Sequence, residues 1–70
     1  MKMSVSEVIA IARKFLTDEA GFDRVRFASV VGVEADKAWR VLADIGQPTT
    51  NKKELIVDDV DGKIVSYREV

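Results

Sequence analysis

The sequence predicts an α+β fold: a two-layer αββββ domain in which one N-terminal helix packs on a four-stranded antiparallel meander. Three observations predict it. Helix-start signals cluster at Ser4, period-two alternation begins at Arg24, and "ELIVDDVDGKIVSYREV" at the C terminus reads as two strands around an Asp-Gly turn. Seventy residues, 1–70, make a single small domain. At that size folding removes roughly 60% of the unfolded chain's surface, so the core is small and a second copy would add burial that one copy lacks.

In "MSVSEVIAIARKFLTDEAG", Ser4 takes the N-cap position and Glu7 closes a capping box, with Met3 and Val8 placed for a hydrophobic staple. Val5, Val8, Ile9, Ala12, Phe15 and Leu16 then fall on one helical face. A helix over 5–18 follows, and Gly21 ends it by accepting a positive φ.

Alternation in "FDRVRFASVVGV" predicts a strand from about 24 to 31, closed by Gly32 and the charged "EAD". "KAWRVLADIG" fits both a helical stripe and period two. A strand from about 38 to 45 is preferred, because a lone hairpin needs more sheet to cover its apolar face. "GQPTTNKK" reads as an exposed connection whose basic tip offers a contact for an acidic partner.

The hairpin register is the sharpest local question. A three-residue loop of Val60, Asp61 and Gly62, with Gly62 left-handed, sets Asp59 opposite Lys63, Val57 opposite Val65, Leu55 opposite Tyr67 and Glu54 opposite Arg68. Leu55, Val57, Val65 and Tyr67 then face the helix, and Asp61 is a turn residue.

One helix covers one face of the sheet. Alternation assigns Arg24, Arg26, Ala28, Val30, Arg40, Leu42, Ile56, Ile64 and Arg68 to the other face. Val30, Leu42, Ile56 and Ile64 would form an apolar patch there, and Arg26, Arg40 and Arg68 would orient acidic groups of a partner. The expected function is a noncatalytic protein-interaction, assembly or regulatory module. It would bind a protein partner or a second copy of itself through this face or a strand edge. The alternative is a small-ligand sensor with Trp39 and Tyr67 lining a gap between helix and sheet.

Composition narrows the other classes. Eleven basic against twelve acidic residues leave a net charge of -1, so no overall field recruits a phosphate backbone, and no aromatic is expected beside the outward arginines; no nucleic-acid partner is expected. With no cysteine and no histidine the chain lacks thiolate ligands and the commonest proton shuttle near neutral pH. Ser4, Ser29 and Ser66 lack a nucleophile elbow, and the glycines form no phosphate loop. Asp58, Asp59 and Asp61 lack the spacing of a calcium loop. The chain is therefore not expected to be an enzyme, and no catalytic residue, metal or cofactor is assigned. Its charged, short N-terminal apolar run predicts neither a signal peptide nor a membrane insertion, and a cytoplasmic location is expected.

The features "WRVLADIG", Pro48, "ELIVDDVDG" and "IVSYREV" resemble the gas-vesicle accessory protein family GvpO, in which a tryptophan-containing strand, a proline-containing connector and a "SYRR"-like ending recur. The preceding helix-to-strand order resembles the broader PepSY-like small-domain pattern. The resemblance covers about half of the chain by motif. It implies a noncatalytic assembly or regulatory module, places Trp39 on a strand, and brings no active site to transfer.

Overall fold

Ser4 opens the helix as its neighbours dictate: its hydroxyl accepts the Glu7 N–H at 3.2 Å while the Glu7 carboxylate accepts the Ser4 N–H at 2.8 Å. The computed structural model describes residues 1–22, 24–45 and 52–70. Helix α1 (Val5–Lys14) runs on into a π-helical turn at Phe15–Glu19, where the Ala20 N–H reaches the Phe15 carbonyl at 3.0 Å. The Thr17 hydroxyl donates back to the Arg13 carbonyl at 2.9 Å, the kind of bond that competes with the helical ladder. Gly21, at φ +79°, then turns the chain away, as expected of a left-handed glycine.

Four antiparallel strands follow in spatial order β1-β2-β3-β4: β1 (Arg26–Val33), β2 (Ala38–Asp44), β3 (Lys52–Asp58) and β4 (Ile64–Glu69). The architecture is the expected helix on a four-stranded antiparallel sheet. Trp39 lies on a strand, which settles the ambiguous segment. Gly32 does not end β1 but sits within it, and the single 3-10 turn Glu34–Asp36 carries the chain into β2. The connection 46–51, which includes Pro48, lies outside the described residues. Lys52 and Lys53 belong to β3 rather than to that connection.

Val8, Ala12 and Leu16 from the helical segment meet Trp39, Val41 and Ala43 of β2 and Leu55 and Val57 of β3 in one buried cluster. Seven of these side chains are wholly excluded from water: Ala12, Ala43 and the larger Val8, Leu16, Val41, Leu55 and Val57. Each of the five larger ones contributes about 1.5–3 kcal/mol relative to exposure, which is why the helix docks across the two central strands.

The central ladder is regular, from Ala38 opposite Asp58 to Asp44 opposite Lys52. Both edge strands are not. In β1, Phe27 opposes Ala43 and Ser29 opposes Leu42, so Ala28 is an extra, bulged residue. In β4, Ser66 opposes Ile56 and Ile64 opposes Val57, so Val65 is the extra one. Each bulge turns two residues three apart, Phe27 with Val30 and Ile64 with Tyr67, toward the same helix-covered side. Regular alternation would have sent one of each pair outward.

These bulges overturn three expectations. Val30 and Ile64 pack against the core cluster and leave the helix-free face, and Val65, at 63% exposure, stands in solvent rather than against the helix; Val31, 50% exposed, takes the outward place beside Val30. The hairpin register holds at its open end, with Leu55 opposite Tyr67 and Glu54 opposite Arg68. Near the turn it slips by one. Asp58 donates to the Lys63 carbonyl at 2.9 Å and accepts from the Gly62 N–H at 2.9 Å, which leaves a four-residue loop of Asp59, Val60, Asp61 and Gly62. Gly62 has the expected left-handed φ, +74°.

Candidate interaction surface

The helix-free face is read row by row from the ladders. Arg26, Asp44 and Lys52 form one row, Ser29, Leu42, Glu54 and Arg68 the next, and Val31, Arg40, Ile56 and Ser66 the third. Glu54 stands near the middle. Although it lies on the side away from α1, it is only 3% exposed, because two arginines fold over it. Arg68, its cross-strand partner, donates Nε–H to Oε1 at 2.7 Å, and Arg40, one row away on β2, donates Nε–H to Oε2.

The hydrogen bond from Arg68, and then that from Arg40, hold the Glu54 carboxyl below its ordinary pKa. It is therefore ionised at neutral pH and orients both guanidiniums. More than half of each arginine side chain remains exposed, 53% for Arg40 and 69% for Arg68. Two cations share one anion, so the centre of this face carries a local excess of one positive charge, with half-buried Leu42 and Ile56 beside it. Arg26 sits apart in the first row, opposite Asp44. The arrangement can bind a carboxylate or similar oxyanion next to an apolar side chain.

Of the residues assigned to a contact patch from sequence, the structure brings Leu42, Ile56, Arg40 and Arg68 together. It removes Val30 and Ile64 to the core side and puts Val31 on the outer face in place of Val30. The sequence reading found Glu54 as a cross-strand partner of Arg68 but missed its second partner, Arg40. That bond runs diagonally between β2 and β3, and no short-range spacing encodes it.

The opposite face holds the aromatic residues. Trp39 is 8% exposed and opposes Val57, whereas Tyr67 is on β4 opposite Leu55. The buried Leu55 and Val57 fill the sheet between them. Tyr67 meets the Phe15 ring edge-on, with centroids 5.0 Å apart. Lys53 also turns to this side, its ammonium 5.9 Å from the Phe22 ring and 6.0 Å from that of Tyr67, and ion-paired to Glu69 at 3.0 Å.

An open depression of about 530 Å³ lies at the other end, lined by Met1, Lys2, Glu34, Lys37, Asp59 and Val60. Neither Trp39 nor Tyr67 lines it. Of its two carboxylates, Glu34 and Asp59, the second is committed: Asp59 accepts the Trp39 indole N–H at 2.8 Å, the Met3 N–H at 2.9 Å and the Lys2 N–H. Asp58 and Asp61 serve the turn, accepting from the Val60 N–H at 2.7 Å and the Lys63 N–H at 3.0 Å. Among the described residues no three acidic side chains form a metal-ligating group, and no helix is long and apolar enough to cross a membrane.

No family model matches this chain, and neither a curated protein nor a solved structure matches it. The likeness to the gas-vesicle accessory family rests on the quoted motifs alone.

Proposed function

We propose that this domain is a noncatalytic protein-interaction module that receives an acidic, partly apolar segment of a partner on the helix-free face of its sheet. One observation carries the reading: the ionised Glu54 holds Arg40 and Arg68 side by side, half exposed, next to Leu42 and Ile56. Guanidiniums fixed in advance lose less side-chain freedom when they pair with a carboxylate, which favours recognition over mere solvation. The aliphatic neighbours supply the apolar contact that an ion pair at a rim lacks.

The test is selection from a random-peptide display library followed by titration of the enriched peptides. Peptides carrying Asp or Glu near an aliphatic residue are expected, with binding weakened by salt and lost in the Arg40→Glu/Arg68→Glu and Leu42→Asp/Ile56→Asp variants. Enriched peptides that bind both folded variants as they bind the parent would overturn the proposal.

A further inference from the structure

The two edges of the sheet differ in how they are protected. Edge strands present unpaired N–H and C=O groups and are usually blunted by charges, proline or bulges. Strand β4 is short, has its bulge at Val65, its second residue, and carries Arg68 and Glu69, with Lys63 just before it. In β1 the bulge lies at Ala28, toward the start. Beyond it the ladder is regular from Ser29 to Val33, and "SVVGV" contains neither charge nor proline. Among the described residues, the backbone hydrogen bonds outside the ladders do not engage β1.

The flanks of this segment are complementary in charge. Arg24 and Arg26 precede it, and Glu34 and Asp36 follow it, all four exposed. An antiparallel twofold pairing brings the start of each strand beside the end of the other. We infer that a second copy of this chain pairs along the β1 edge, centred on Val31, so that Arg26 of each copy opposes Asp36 of the other and the basic start of each strand, with Arg24, lies alongside the acidic end of the other, with Glu34. In this register Val31 meets its own counterpart, Val30 meets Gly32, and Ser29 meets Val33. The alternation is preserved, so both helices lie on one side of a continuous eight-stranded sheet. The two helix-free faces merge on the other side. This contact uses the edge rather than the Arg40, Glu54 and Arg68 cluster, so it stands or falls separately from the proposed function.

Sedimentation across a concentration series tests it with charge-reversed chains. The parent is expected to dimerise, Arg24→Glu/Arg26→Glu and Glu34→Arg/Asp36→Arg are each expected to be monomeric, and their equimolar mixture is expected to restore the dimer. Because the chain has no cysteine, Val31→Cys provides a second readout. It should form a disulfide-linked dimer on mild oxidation, since directly opposed antiparallel residues lie within disulfide range. Val65→Cys, similarly exposed on the other edge, should not. Backbone chemical shifts establish that each variant is folded. A parent that stays monomeric at its highest soluble concentration overturns the inference. So does a dimer lost in Leu42→Asp/Ile56→Asp but kept in both charge-reversed chains, which would place self-association on the open face.

Discussion

The indole of Trp39 donates to the Asp59 carboxylate at 2.8 Å, and the same carboxylate holds the backbone amides of Lys2 and Met3. The β3–β4 loop thus fastens the N-terminal segment to the core. These bonds, with that from Lys2 the strongest influence, bring the Asp59 pKa down from its ordinary 3.8 to about 2. A carboxyl whose folded pKa is depressed stabilises the fold above its unfolded pKa, and that contribution fades as pH falls through the folded value. Denaturation midpoints should therefore drop between about pH 4 and pH 2. Asp59→Asn should start less stable and lose less across that window. Equal pH profiles for the two proteins would show that Asp59 is not the acid-sensitive clamp.

The bulge at Val65 predicts opposite sensitivities for adjacent residues. Ile64 packs on the core cluster whereas Val65 is 63% exposed. Ile64→Ala is expected to cost about 1–3 kcal/mol, below the full range for a wholly buried isoleucine. Val65→Thr should stay within about 0.5 kcal/mol, as surface changes do. Urea denaturation of the two variants measures both, and a reversed order would restore regular alternation in β4.

Two left-handed glycines separate strain from crowding. A Cβ on Gly21 would meet no atom within 4 Å, so Gly21→Ala carries only the left-handed penalty of about 1–2 kcal/mol. A Cβ on Gly62 would lie 2.8 Å from Met3 Cε and 3.0 Å from Ile11 Cδ1. Gly62→Ala should therefore be the more damaging change and should weaken the seating of the N-terminal segment. Thermal melts compare them, with amide exchange at Lys2 and Met3 as the local readout.

Removing the two arginines around Glu54 should be worse than removing all three charges. Arg40→Leu/Arg68→Leu leaves a carboxylate without its partners, whereas adding Glu54→Leu eliminates the charge that needs them. The triple variant is expected to melt above the double variant. A triple variant no more stable than the double would mean that Glu54 gains little from its arginines.

The sequence alone determined what local chemistry can specify. The capping box at Ser4 and Glu7, the left-handed turns at Gly21 and Gly62, and the helix, first strand and final hairpin are each written within a few neighbouring residues, whereas β2 followed only from the sheet that the hairpin needs. Four of the seven residues of the contact patch were legible for the same reason. Leu42, Ile56, Arg40 and Arg68 lie on regular stretches or beyond the bulge, where alternation holds. The tertiary structure decided which way Val30, Val31, Ile64 and Val65 face. One inserted residue in an edge strand reverses the alternation beyond it, and the bulges at Ala28 and Val65 set Phe27 with Val30, and Ile64 with Tyr67, on the helix side. Asp59 likewise acquired its role only when folding brought Lys2, Met3 and Trp39 to it. Contacts between residues 20 to 57 positions apart depend on how the layers pack, a property that no local spacing carries.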